Sequence, residues 1–331
     1  MRLAPQRVAD IRYAGCEGAF TSQMTSRQFG LLCALAAVWG CSFLFIKVIV
    51  DAGVGPMGMS AARTLLGAAT LAPFAYVARA GFRQPRRAWA LMLGLGVLNF
   101  AVPWTLFGVA EQHVPSGAAA VANASAPLWS AIVATAFLRA DRLDARRIAG
   151  LLAGFFGVVV LMGNDLADLS GGEAGGIGLI LVATLCYAIS AVSIRRWVSE
   201  VPPIPLATVQ VATAAAILMP LALLSGAYSD ADFAPKVFAS AAALGGLGSG
   251  LAVVAYMHLI QKAGPVRASV VTYMAPPIGV VLGWLVLDEA IGWNLVAALG
   301  FILAGVALVQ GIGIGWVRAR LPRGLATAAS D

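Results

Sequence analysis

Charge is scarce in this chain: Asp, Glu, Lys and Arg make up 11% of it, against about 25% in an ordinary soluble domain. Hydrophobic residues make up 60%, and the mean hydropathy is +0.87. That balance excludes a soluble domain and implies the lipid bilayer as a partner. Paired cysteines are lacking as well. Cys16, Cys33, Cys41 and Cys186 follow no disulfide or metal spacing, and three lie in apolar runs, so they read as small apolar fillers. There are two histidines, His113 and His258, and no His/Cys/acid cluster has metal-ligand spacing. No GxxxxGK[ST] loop provides an ATP engine and no GxSxG turn presents a nucleophile, so no cofactor is expected. The acids sit in loops or at the ends of apolar runs, which predicts no buried carboxylate relay. Any proton coupling would fall to Glu111, Glu289, His113 or His258.

What is there is a succession of apolar spans, at roughly 30–50, 57–78, 88–108, 115–138, 146–163, 176–195, 204–225, 236–260, 266–287 and 291–316. Each is about long enough to cross a bilayer, and the short connections make consecutive helices antiparallel neighbours. The net charge of +7 could suggest nucleic acid, but the basic residues occupy short loops and leave no basic face for a phosphate backbone. Numbering those loops alternately gathers 19 of the 22 basic residues on one side. The other side holds Lys236 and acids such as Asp51, Glu111, Asp230, Asp232, Asp288 and Glu289. By the positive-inside rule both termini face the cytoplasm, in a cell inner membrane. Residues 1–29 read as a disordered cytoplasmic leader without the apolar core of a secretory signal, and 317–331 as a cytoplasmic tail.

The chain also repeats itself. Trp39 and Lys47 align with Tyr187 and Arg195, Pro56 and Arg63 with Pro203 and Gln210, and Gly157 with Gly305, at offsets of 147 to 148. Pro115 to Pro127 (PSGAAAVANASAP) has a counterpart at Pro265 to Pro277 (PVRASVVTYMAPP), 150 residues on. Five spans per unit is an odd number, so the second unit must enter the membrane from the opposite side. The expected fold is an all-α integral membrane protein of ten transmembrane helices, arranged as two inverted five-helix repeats over 30–163 and 176–316. Proline inside a span removes a backbone hydrogen bond, which lipid tolerates only where protein or an aqueous cavity covers the break. Pro127, Pro276 and Pro277 are therefore read as hinges beside a binding site.

Few polar side chains lie within the spans, and each has a plain structural reading beside the functional one. Lys47 and Arg63 could hold an anionic group, or could snorkel or pair with Asp51 or Glu111. Asn123 and Tyr273, on the proline-bounded helices, could face a cavity or bond between helices. Asn99, Trp104, Tyr256 and His258 are further candidates, and Trp39 and Tyr187 could form cavity walls or simply pack.

The stretch Ala255 to Leu308, AYMHLIQKAGPVRASVVTYMAPPIGVVLGWLVLDEAIGWNLVAALGFILAGVAL, resembles the second half of an EamA-type transporter of the drug/metabolite transporter superfamily. Phe107 to Leu161 resembles the first half more loosely, and Trp39-Gly40, Lys47 and Arg63 fit the same pattern. The chain departs from it at Asp141, where the first repeat usually carries glutamate, and at Gln210, which is neutral opposite Arg63. The resemblance implies ten helices and alternating access around a central cavity, with a small molecule as substrate, in a family whose members export amino acids, metabolites or drugs or import small solutes. Export of a metabolite, amino acid or drug-like solute is the expected function, and a monomer or homodimer the expected state. Two alternatives stay open. An intramembrane lipid-modifying enzyme would need paired acids or histidines at membrane depth, and a non-transporting scaffold would not need polar groups on kinked helices.

Overall fold

A computed structural model describes residues 26–138, 144–163, 172–263 and 271–310, which are helical with no strand among them. The first unit contains α1 (Ser26–Asp51), α2 (Pro56–Val77), α3 (Arg86–Gly96), α4 (Val102–Ala110), α5 (Ser116–Asn123), α6 (Ala126–Leu138) and α7 (Ala145–Met162). The second contains α8 (Gly172–Trp197), α9 (Pro203–Leu224), α10 (Pro235–Ala242), α11 (Ala252–Ala263), α12 (Val271–Leu287) and α13 (Trp293–Gln310). Two π-helical segments, Val97–Ala101 and Ala243–Leu251, join α3 to α4 and α10 to α11. Seven of the described helical rods are long and apolar enough to cross a membrane. The α2 helix is not among them, since Arg63, Thr64, Thr70 and Ser60 give it a polar side, and Met274–Leu287 and Trp293–Val309 are shorter.

Local chemistry explains where the rods start and stop. Proline at the first helical turn opens α2, α9 and α10, where its missing N–H would be unsatisfied anyway. Gly53 (φ 82°) and Gly226 (φ 65°) turn the chain after α1 and α9 through the left-handed region that a side chain resists. Pro127 interrupts its span: Ala124 and Ser125 form a turn between α5 and α6, because the proline cannot donate to the Asn123 carbonyl four residues back. Pro276 and Pro277 lie inside a helix that continues through them. Pro265 lies outside the described residues.

The two units exchange packing partners. The α7 helix packs on α13, α2 on α9 and α5 on α12, each pairing a segment with its own repeat counterpart. The α1–α12 contact is answered by α6–α8, and the α4–α8 contact by α1–α11. The loop after α1 meets the loop after α9, with Gly55 N donating to Ala227 O at 2.8 Å and Asp232 N to Ala52 O at 2.8 Å. Ends of non-equivalent helices thus share one end of the molecule, so the second unit is inverted relative to the first. That end carries Asp51, Glu111, Asp230, Asp232, Asp288 and Glu289 and is called the acidic end below; the opposite, basic end carries Arg79, Arg83, Arg86, Arg87 and Arg196. Between the ends the outer surface is apolar, with Phe156, Leu223, Leu224, Trp284 and Leu285 each more than half exposed. A continuous apolar surface of this kind belongs in lipid.

Candidate functional site

A cavity of about 400 Å³ lies between the two units, a volume suited to a small organic molecule. The chain brings seven of the side chains singled out from sequence to its wall: Trp39, Arg63, Asn99, Trp104, Asn123, Tyr187 and Tyr256. The wall runs from Ile46 and Phe107, near the acidic end, to Ile194, Leu206 and Val271, near the basic end.

The polar groups come in two related pairs. Arg63 on α2 donates from Nε to Ser249 Oγ at 2.9 Å, and Asn99 donates from Nδ2 to Gln210 Oε1 on α9 at 3.0 Å. Arg63 and Gln210 are repeat counterparts, as are Asn99 and Ser249, at offsets of 147 and 150. Asn99 and Ser249 both sit on the π-helical segments. There the widened turn leaves backbone and side chains free to bond across the cavity, as π-bulges at functional sites commonly do. Gly248, on the second segment, uses its carbonyl to accept the Trp39 indole N–H at 3.1 Å.

Aromatic rings fill the rest of the wall. The Arg63 guanidinium lies over Trp104, with Cζ 3.8 Å from the ring centroid. Trp104 meets Phe100 edge-on at 4.7 Å, Trp39 meets Tyr256 edge-on at 5.0 Å, and Tyr187 stacks on Phe107 at 6.4 Å. Arg63 is only 8% exposed, and among the described residues it makes no ion pair.

Other sequence candidates have different places. Lys47 is a tie at the acidic end and does not line the cavity: its Nζ meets Asp51 Oδ1 at 2.9 Å and donates to the Glu111 carbonyl at 2.9 Å. It sits one turn from the end of α1, where its own acid and a neighbouring carbonyl are within reach. Ser125 approaches Thr184 at 3.4 Å, joining the α5–α6 turn to α8. His258 and Tyr273 fall within α11 and α12, but their side chains lie outside the described residues.

Glu111 overturns the expectation that the acids stay clear of the interior. It is 0% exposed, and neither carboxylate oxygen has a hydrogen-bond partner among the described residues. The connection from α4 to α5 is too short to lift it into solvent, and Val114 beside it packs against Gly176 of α8. Burial pushes its carboxyl well above the usual carboxylate range, against the pull of the neighbouring Lys47 charge. Glu289 reaches across the units to accept the Ser116 N–H at 2.6 Å and the Gly117 N–H at 2.9 Å, capping the positive end of α5. With Tyr228 Oη donating to Gly58 O at 2.9 Å and the two loop bonds, these contacts join the two units at the acidic end.

Sequence reasoning missed Ser249 and treated Gln210 only as a neutral substitute for Arg63. The offset between the units was the available signal, since it pairs Gln210 with Arg63 and Asn99 with Ser249.

A helical bundle of two exchanged, inverted units around a polar-and-aromatic cavity defines a multi-pass membrane transporter. The EamA-like transporter family matches twice, over residues 28–163 and 174–310, and the chain belongs to that family. It is 31% identical over 285 residues to an uncharacterized inner membrane transporter, YedA, of Escherichia coli (strain K12), covering 85% of this chain and 90% of the relative. It is 25% identical over 291 residues to a protein of Streptantibioticus cattleyicolor named as a probable terminal-alkyne amino-acid exporter, covering 86% and 94%. A protein of known crystal structure superposes with a TM-score of 0.60 at 23% identity, over 90% of this chain and all of that one, a likeness of fold alone.

Proposed function

We propose that this protein is a secondary transporter that exports a small organic solute across the cell inner membrane by alternating access. The observation that carries the reading is the cavity between the units, with polar groups supplied symmetrically by both and contacts that join them at the acidic end. In this reading the two units together make ten crossings. The positive-inside rule places the basic end and both termini in the cytoplasm, so in this reading the joined acidic end shuts the protein to the outside. The break at Pro127 and the Pro276–Pro277 pair act as hinges about which the units rock. The protein works as a monomer or homodimer. The inner-membrane naming of one relative and the exporter naming of another support location and direction.

Counterflow in proteoliposomes tests the reading. Vesicles loaded with a mixture of amino acids, organic acids, nucleosides and drug-like solutes should accumulate at least one labelled member of the mixture against protein-free controls. Absence of flux for every class would reject transport.

A further inference from the structure

Among the described residues that line the cavity, Arg63 is the only ionised side chain, and no Asp or Glu is among them. Its position is fixed from two directions, by the Nε bond to Ser249 and by the Trp104 ring beneath the guanidinium. The two Nη groups have no hydrogen-bond or ion-pair partner among the described residues. Of the acids at the acidic end, Asp51 is taken by Lys47 and Glu289 by the α5 backbone, while Glu111 lies within electrostatic reach of Arg63 without a hydrogen bond or ion pair to it among the described residues. A guanidinium this buried and this incompletely paired is costly, and the cost falls when an anion arrives with two oxygens in the plane of the fork.

The rest of the wall sets the remainder of the ligand. The counterpart position is Gln210, neutral and bonded to Asn99, so no second charge is held there. Trp39 has committed its N–H to Gly248 and its ring to Tyr256, and Trp104 has its face covered by Arg63. An ammonium group would therefore lose its water without gaining a carboxylate among the described lining residues. A dianion would keep one charge unmatched.

We propose that the cavity selects a monoanion: a small, largely apolar solute bearing one carboxylate, with Arg63 as the residue that determines specificity. This rests on the transport reading above, because the cavity must be the route.

A series with one phenyl body tests it, using the full-length protein in nanodiscs. Phenylacetate is the anion, phenylalanine the zwitterion, phenethylamine the cation and 2-phenylacetamide the neutral isostere. Binding is read from quenching of tryptophan fluorescence, since Trp39 and Trp104 line the cavity. The expected result is a Kd for phenylacetate lower by about tenfold or more than for each of the others. Arg63→Gln should erase the difference between phenylacetate and 2-phenylacetamide, while Arg63→Lys, which keeps the charge and loses the fork, should keep a weakened preference. Equal or tighter binding of phenylalanine or phenethylamine overturns the proposal, and so does binding of none of the four. An unchanged phenylacetate preference in Arg63→Gln overturns it too. If Arg63→Gln does not fold, the wild-type series and Arg63→Lys decide. Counterflow of some other solute by the same protein in proteoliposomes would leave transport standing while this proposal fails. No counterflow of any solute would remove both.

Discussion

Glu111 and Arg63 show how one buried charged side chain can be an anchor for a ligand and another a liability of a conformation. Glu111 is fully buried without a partner for either oxygen, and burial raises its carboxyl above the ordinary range. The groups around it are Lys47 and Asp51 of α1, Arg63 of α2 and Glu289 of the loop before α13. An acid whose folded value is raised binds its proton more tightly in the folded state. Its contribution to stability is therefore full below the unfolded value of about 4.3 and is lost as pH rises through the raised value. The unfolding free energy of the purified protein should fall across that window by no more than about 1.4 kcal/mol per pH unit from this one group, and the thermal midpoint should fall with it. Glu111→Gln should flatten the slope and match or exceed the wild type at pH 8. A variant with the wild-type slope would show that another group titrates.

The α7 and α13 helices illustrate what holds the elements together. They form the most extensive helix pair and contribute no residue to the cavity wall. A Cβ added at Gly305 would lie 2.5 Å from the Gly150 carbonyl oxygen and 2.5 Å from the Gly154 nitrogen, so the two backbones are in direct contact. Small residues permit such approach in lipid, where packing is the main attraction between helices. Gly305→Leu should cost about 1–3 kcal/mol of stability in a detergent or thermal unfolding series. Solute binding by the surviving folded fraction should be unchanged. Wild-type stability would mean that the pair can part without consequence.

Much of this arrangement could be read from the sequence, because lipid constrains it so strongly. Span positions follow from hydropathy, and α2 and α9 begin within a residue of the expected edges since Pro56 and Pro203 fix them. The inversion followed from an odd number of spans per unit. Arg63 and Asn99 stood out because polar groups are rare at that depth. Partners were harder: Ser249 looked like one more small residue, and only the π-helical turn at Ala243–Leu251 aims it at Arg63. Lys47 pairs with Asp51, one of the two readings its position allowed. Glu111 was misjudged because a charge near a helix end is assigned to solvent by position alone, yet the short loops at the acidic end fold inward over it.

Taken whole, the molecule is held together at the acidic end by contacts that join the two units through their backbones. Gly55 and Ala227 are close enough there that a Cβ on the glycine would lie 3.2 Å from the alanine Cβ. That is slightly shorter than the usual range for a disulfide, about 3.5–4.5 Å, so a small backbone adjustment would let one form. In a chain with its own cysteines replaced, Gly55→Cys with Ala227→Cys should cross-link on addition of a membrane-impermeant oxidant to intact cells. Flux should stop and return on reduction. Cross-linking only in inverted vesicles would reverse the orientation, and free flux through the bridged protein would remove that end as a gate.

The exchange of partners between the units also governs how the protein can be made. The α1 helix is synthesised first, yet its main partner is α12, whose first residue is Val271. Likewise α2 waits for α9 and α7 for α13. During that interval Arg63 stands in the membrane without Ser249, and the faces meant for the second unit are open to whatever else is there. The finished fold therefore depends on an unfinished half surviving until translation ends. An insertion factor or quality-control protease that meets this chain would meet it in that exposed interval, long before any solute does.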